Sequence, residues 1–153
     1  MKEVTGNIWR EACDAIVIPT NGDVNRHGAA VMGRGLALQA ARRWPLMPKV
    51  LAEYLRAEGN HVFDVYKPRR LPTLLTFPVK QHWRERADID LIERSAQELV
   101  AKVDRLAYRQ VALPRVGCGN GSLNWADVLP ILERHLDDKF ILVSLPSEVH
   151  REA

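Results

Sequence analysis

The stretch that most constrains this chain is residues 112–123, Ala-Leu-Pro-Arg-Val-Gly-Cys-Gly-Asn-Gly-Ser-Leu, where a short apolar strand runs straight into a glycine-rich loop and then toward a helix start. Gly117, Gly119 and Gly121 can adopt positive φ at little steric cost, so successive backbone N–H groups can turn toward one anion. A strand, such a loop and a helix N-terminus in succession form a phosphate cradle, and a diphosphate ligand is the expected occupant.

A second junction of this kind lies nearer the start. Residues 15–19, Ala-Ile-Val-Ile-Pro, are a continuous apolar, β-branched run, as in a central strand buried on both faces. The run ends in the turn signal Thr20-Asn21-Gly22. A polar loop with Asp23, Asn25, Arg26 and His27 then leads through Gly28, Gly33 and Gly35 into a helix expected over residues 33–44, which Pro45 ends. Pro48 opens another helix, to about residue 59. Residues 61–66 and 71–79 read as two strands joined by the basic turn Lys67-Pro68-Arg69-Arg70.

Ile89, Ile92, Ala96, Leu99, Val103 and Leu106 then recur at intervals of three and four, the pattern of an amphipathic helix able to cross between parallel strands. Residues 110–114 form a short strand. Asn124 and Asp127 resemble a capping pair opening a helix to about residue 137, weakened at Pro130, and residues 140–145 are the last strand, closed by Pro146. This alternation predicts an α/β fold, a three-layer α/β/α sandwich with a mixed central sheet of about six strands, as one domain over residues 1–153. In such folds ligands bind beyond the carboxyl ends of the strands, where both glycine loops fall.

Composition excludes several classes. With 46% hydrophobic and 27% charged residues in 153, the chain has the proportions of a soluble globular protein. No apolar run approaches the ~20 residues that cross a bilayer, and the first six residues lack the apolar core of a signal peptide, so a cytoplasmic protein with no membrane partner is expected. Cys13 and Cys118 form no CxxC pair, and the five histidines show no HxxxH or HxH spacing, so neither a metal nor another cofactor is expected. The net charge is +3, with basic clusters at Arg42-Arg43, at residues 67–70 and at residues 84–86, which are solvated faces or points of attraction for a polyanion.

Known phosphate fingerprints are missing: there is no GxxxxGK[ST], and no GxGxxG after the first strand. Instead the chain resembles the macrodomain family over nearly its whole length. The matching segments are Gly6-Asn7-Ile8, Asn21 with Ala30-Val31-Met32-Gly33-Arg34-Gly35, Phe77-Pro78-Val79-Lys80-Gln81-His82-Trp83, and residues 113–125 from Leu113 to Trp125. Within the family it looks most like the branch of terminal ADP-ribose glycohydrolases and of antitoxins that remove ADP-ribose from thymidine bases in DNA.

The resemblance implies that Asn7 and Ile8 contact adenine and that Asn21 approaches the distal ribose. It also implies that two loops close over the diphosphate and that ribose: Val31, Met32, Gly33, Arg34 and Gly35 in one, and Gly117, Cys118, Gly119, Asn120, Gly121, Ser122 and Leu123 in the other. Lys80 matches the lysine on which this branch relies for catalysis, by attack on the anomeric carbon or by stabilising charge as the glycosidic bond breaks. The implied activity is an ADP-ribosyl glycohydrolase, acting first on thymidine bases in DNA and second on protein carboxylates. The alternatives are a reader that binds ADP-ribose without turnover, a deacylase of O-acetyl-ADP-ribose and a phosphatase of ADP-ribose phosphate. The implied partners are ADP-ribose or an ADP-ribosylated substrate, DNA, and a partner ADP-ribosyltransferase toxin.

Two departures qualify the match. Gly121 stands where some glycohydrolases of the branch carry an acid, and Asp23 or His27 in the longer first loop are candidates for that acid–base role. Cys118, between glycines, is read as a small packing residue rather than a nucleophile. Of the tryptophans, Trp9, Trp44 and Trp125 read as core anchors, whereas Trp83 follows Lys80 by one helical turn and is a candidate stacking surface.

Overall fold

The computed structural model describes residues 1–152. Within them the strands β1 (Lys2–Thr5), β2 (Ala15–Thr20), β3 (Asp64–Tyr66), β4 (Thr73–Pro78), β5 (Val111–Leu113) and β6 (Phe140–Ser144) form one sheet in the order β1-β6-β5-β2-β4-β3. β3 runs antiparallel to β4, and every other pairing is parallel. The helices are α1 (Gly35–Arg43), α2 (Met47–Glu58), α3 (Ile89–Leu106), α4 (Trp125–His135) and the short α5 (Pro146–His150). None is long and apolar enough to cross a membrane among the described residues.

The side-chain period of two along β2 sets the layers. Ala15 and Val17 join a cluster with Leu75, Phe77 and the inner faces of α3 and α4, through Ile92, Leu99, Val103, Val128 and Leu132. Ile16 and Ile18 point the other way, into a cluster with Leu74 and, from α1 and α2, Ala40, Met47 and Leu51. Leu99 is fully buried, so Leu99→Ala would cost ~2–5 kcal/mol. Asp88 caps α3, its carboxylate accepting from the backbone N–H groups of Asp90 and Leu91. Ala107 ends the helix in the left-handed region at φ 56°.

Several boundaries differ from the expectation, each for a physical reason. β1 reads Lys-Glu-Val-Thr and is mostly exposed, so it carries no apolar signature. It exists because β6, from the other end of the chain, pairs with it in register from Lys2 opposite Ile141. Pro146 does close β6, but it also opens α5, where its missing N–H costs nothing. α4 runs through Pro130 and ends at His135, and Asn124 is its N-cap by position without a side-chain capping bond. The strand expected over residues 61–66 is shortened, because Phe63 N–H bonds the Thr76 hydroxyl rather than a ladder carbonyl.

Candidate functional site

A cleft of about 980 Å³ crosses the carboxyl ends of the five parallel strands. At one end it is lined by Asn7 and Ile8 after β1 and by Leu145 and Glu148 after β6. The loop after β5 and the loop after β2 form its middle, and Lys80 and Trp83 after β4 close the other end. Arg34, Arg43 and Lys80 face it against one lining carboxylate, Glu148, while Arg115 is ion-paired with Glu152 and Glu3, so the cleft suits an elongated anion.

The first loop is built by short polar bonds. Asn21 Nδ2 donates to the Val31 carbonyl at 3.1 Å, and its Oδ1 accepts from Asp23 N–H at 2.9 Å. Asn25 Oδ1 accepts from the N–H groups of His27 and Ala29, making the outer turn. Val31, Met32, Gly33, Arg34 and Gly35 thereby reach the cleft wall, where α1 begins with no side chain capping its first N–H groups. Those groups are donors for an anion. Asn21 lines the cleft too, although both ends of its amide already brace the loop.

In the second loop only Gly117 of the three glycines takes positive φ, at 77°; Ser122 adopts the other left-handed conformation, at 64°. Gly121 is required for a different reason: a Cβ there would stand 2.5 Å from the Gly117 carbonyl oxygen and 2.8 Å from Ala87 Cβ. No acid fits at that position without moving the loop. Gly117, Gly119, Asn120 and Gly121 face the cleft, whereas Cys118, Ser122 and Leu123 do not. Leu123 and Cys118 pack against the core behind the loop, and burial, with Glu148 adding to it, pushes the Cys118 thiol up to about 11. It is a protonated packing group.

The segment carrying Lys80 is tied to both loops. Its own carbonyl accepts from Asn60 Nδ2 at 3.1 Å, and Gly22 N–H donates to the Gln81 carbonyl at 2.8 Å. Asp23 accepts from Trp83 N–H at 2.8 Å and meets His82 Nδ1 at 2.9 Å. On the other side Ala87 N–H donates to the Gly121 carbonyl and Arg86 to the Ser122 carbonyl. Lys80 Nζ donates to the carbonyls of Trp83 at 3.4 Å and Glu85 at 3.2 Å. Desolvation first, and then the charge of Arg34, lower the Lys80 pKa, with Glu85 opposing.

The two candidates for an extra acid–base group are placed elsewhere. Asp23 has both oxygens engaged on the Lys80 segment, and His27 is exposed beside Arg26; neither lines the cleft. The Lys67–Arg70 turn is also remote. It precedes the start of β4, so it sits at the amino ends of the parallel strands, opposite the cleft.

Sequence reasoning missed the far wall. Trp9 Nε1 donates to Gln39 Oε1 at 2.7 Å, with the Arg43 guanidinium 4.5 Å from its ring centroid, and all three line the cleft. Arg115, buried at the cleft floor, is neutralised by Glu152 and Glu3 and bonds Ser144 Oγ at 3.0 Å. Only an arginine flanking a glycine loop signals it in the sequence, since its partners come from both chain ends.

Residues 65–132 match the family model described as Macro domain. The chain is 29% identical over 142 residues to a DNA ADP-ribosyl glycohydrolase of Thermus aquaticus, covering 90% of this chain and 38% of the relative. It is 30% identical over 132 residues to a protein of the same name from Mycobacterium tuberculosis, covering 81% and 35%. It thus spans little more than a third of the curated relatives it matches. Among solved structures, the macrodomain of Mycobacterium tuberculosis DarG aligns with TM-score 0.78 at 28% identity, over 95% of this chain and 97% of that one. The macrodomain of Thermus aquaticus DarG aligns with TM-score 0.79 at 27% identity and the same coverage. Thermosipho africanus DarTG in complex with ADP-ribose shares the fold, with TM-score 0.78 at 22% identity over 96% of this chain and 42% of that one.

Proposed function

Since this chain belongs to the macrodomain family, we propose that its cleft binds ADP-ribose and that Lys80 releases that group from thymidine bases in DNA. The observation that carries the reading is the position of Lys80: a partly desolvated amine at one end of a cation-lined cleft, with Asn7 and Ile8 at the other. An ADP-ribose with its adenine at the β1 end spans the two glycine loops with its diphosphate and brings its distal ribose to Lys80. Arg34 and the first N–H groups of α1 meet the diphosphate from one side, and Gly119 and Asn120 from the other.

The lowered pKa favours a nucleophilic amine. Lys80 Nζ bonds to the anomeric carbon while the carbon–nitrogen bond to thymine breaks, the base leaving with the bonding pair and taking up a proton. Water then cleaves the lysine adduct, releasing ADP-ribose and restoring the amine. Relatives named DNA ADP-ribosyl glycohydrolase support DNA as the substrate. A fusion of DNA ADP-ribosyl transferase with DNA ADP-ribosyl glycohydrolase, in Thermosipho africanus, supports a transferase as the partner whose modification is reversed.

The test is product formation on ADP-ribosylated DNA beside ADP-ribosylated protein, with Lys80→Ala as the control. Turnover on DNA is expected to fall by ~10²-fold or more in that variant while ADP-ribose affinity stays within a few-fold. Wild-type turnover by Lys80→Ala would remove the role assigned to Lys80, and binding without turnover by the wild type would leave a reader.

A further inference from the structure

We propose that Trp83 and Arg84 form a ledge on which the nucleobase next to the modified nucleotide stacks, so that the site takes single-stranded DNA rather than an isolated nucleotide. This rests on the DNA reading above and adds the strand's path. Trp83 is 43% exposed and lines the cleft beside Lys80; Trp44 and Trp125 pack against the cores, and Trp9, which lines the cleft at its opposite end, packs against the core and has its indole N–H bonded to Gln39. An indole left in water at the mouth of a charged cleft is uncovered hydrophobic area that a flat ligand would bury.

The backbone that carries the ring is held in place. Trp83 N–H is fixed by Asp23, and its carbonyl accepts from Lys80 Nζ, so the residue that carries the ring also positions the amine. A ligand stacked there would be registered against the anomeric carbon. The Arg84 guanidinium lies 4.8 Å from the ring centroid, which places a cation at the same point. Arg34 and Lys80 extend the positive surface into the cleft. An aromatic face beside arginines matches a base and its phosphate, and a base can offer its face only when unstacked from a duplex. An acidic peptide would satisfy the cations and leave the indole uncovered.

The experiment has two arms on the whole chain. In the first, binding of a fluorescent, unmodified oligothymidylate is followed by anisotropy. Trp83→Ala is expected to weaken it ~10-fold, within the range for loss of one base–aromatic stack, and Trp83→Phe to restore most of it. Arg84→Gln should weaken binding and flatten its salt dependence by about one phosphate contact. In the second, kcat/KM on an ADP-ribosylated oligonucleotide is divided by that on ADP-ribosyl-thymidine. The wild type should favour the oligonucleotide ~10-fold, and Trp83→Ala should abolish the preference. Equal oligothymidylate binding by wild type and Trp83→Ala overturns the ledge, as does an unchanged ratio, which would reduce Trp83 to a backbone support for Lys80. A wild type that hydrolyses neither substrate, yet loses oligothymidylate binding on Trp83→Ala, sinks the glycohydrolase reading and leaves the ledge standing.

Discussion

Asp23 Oδ1 and His82 Nδ1 lie 2.9 Å apart, and through this contact the loop after β2 holds the segment that carries Lys80. The other Asp23 oxygen takes Trp83 N–H at 2.8 Å, and the Trp83 carbonyl takes the Lys80 amine. One carboxylate thus links the loop after β2 to the amine at the end of the cleft. Both oxygens of Asp23 are committed to these bonds, and it lies outside the cleft lining.

The first prediction follows from the titration of that contact. The bond to Asp23 raises the His82 pKa above its ordinary value. Burial pushes the Asp23 carboxyl up, but its bonds to His82 and Trp83 N–H outweigh this and hold it below the usual range. The His82 contribution is therefore complete below the pKa of an unfolded histidine, ~6.5, and fades as pH rises through the elevated folded value. The Asp23 contribution is complete above ~3.9 and fades as pH falls through the depressed one. Asp23→Asn should lower the melting temperature most between about pH 4 and 6.5, by less at pH 9, with a residue left from the bond to Trp83. A difference that grows from pH 6 to pH 9 contradicts this assignment.

The second prediction concerns Arg34, whose positive charge is the second cause of the depressed Lys80 pKa, after burial. A rate that depends on the free amine rises with pH through that pKa. Arg34→Gln removes the repulsion, so the ammonium survives to higher pH and the rising limb of kcat should move upward. Measurement of kcat under saturating substrate separates this from weaker diphosphate binding. A limb that stays in place or moves down would show that Lys80 is not the titrating group.

Two glycines of one loop should respond in opposite ways. A Cβ at Gly119 would meet nothing within 4 Å, and the residue has no positive φ, so Gly119→Glu is expected to fold with wild-type stability. Its carboxylate would then occupy the diphosphate path and repel it. Wild-type protein at one hundred times the dissociation constant of ADP-ribose should gain ~2.7 kcal/mol, or ~5–10 °C in Tm, and Gly119→Glu should show no gain. Gly121→Ala meets the Gly117 carbonyl and Ala87, so its Tm should drop without any ligand. Calorimetric scans with and without ADP-ribose check both.

The sequence made legible what local patterning controls. The amphipathic spacing of α3, the buried run of β2 and the glycine loops all have signatures within a dozen residues. The cleft wall at Trp9, Gln39 and Arg43 has none, because it depends on a contact 30 residues apart. Arg115 is tolerated in the floor because Glu3 reaches it from 112 positions away. Gly121 was legible as a glycine but not for its reason, since crowding by Ala87 is a fact of packing and not of turn type. The same limit applies to charge: the basic turn Lys67–Arg70 and the basic segment after Lys80 look alike in sequence and lie at opposite ends of β4.

That last difference yields the final prediction. β4 has six residues, so at ~3.3 Å each the two basic groups are separated by ~20 Å along the strand. The Debye length at 0.15 M salt is ~8 Å, which leaves little interaction between Arg69 and a strand bound at the cleft. Arg69→Glu should therefore leave kcat/KM on ADP-ribosylated DNA within ~2-fold at that ionic strength. Arg84→Glu, beside Trp83 at the cleft mouth, should lower it ~10-fold or more and reduce its salt slope. Initial rates between 50 and 200 mM salt distinguish the two. An equal loss in both variants would mean that DNA wraps around β4 to the amino ends of the sheet, and would enlarge the interface beyond the cleft.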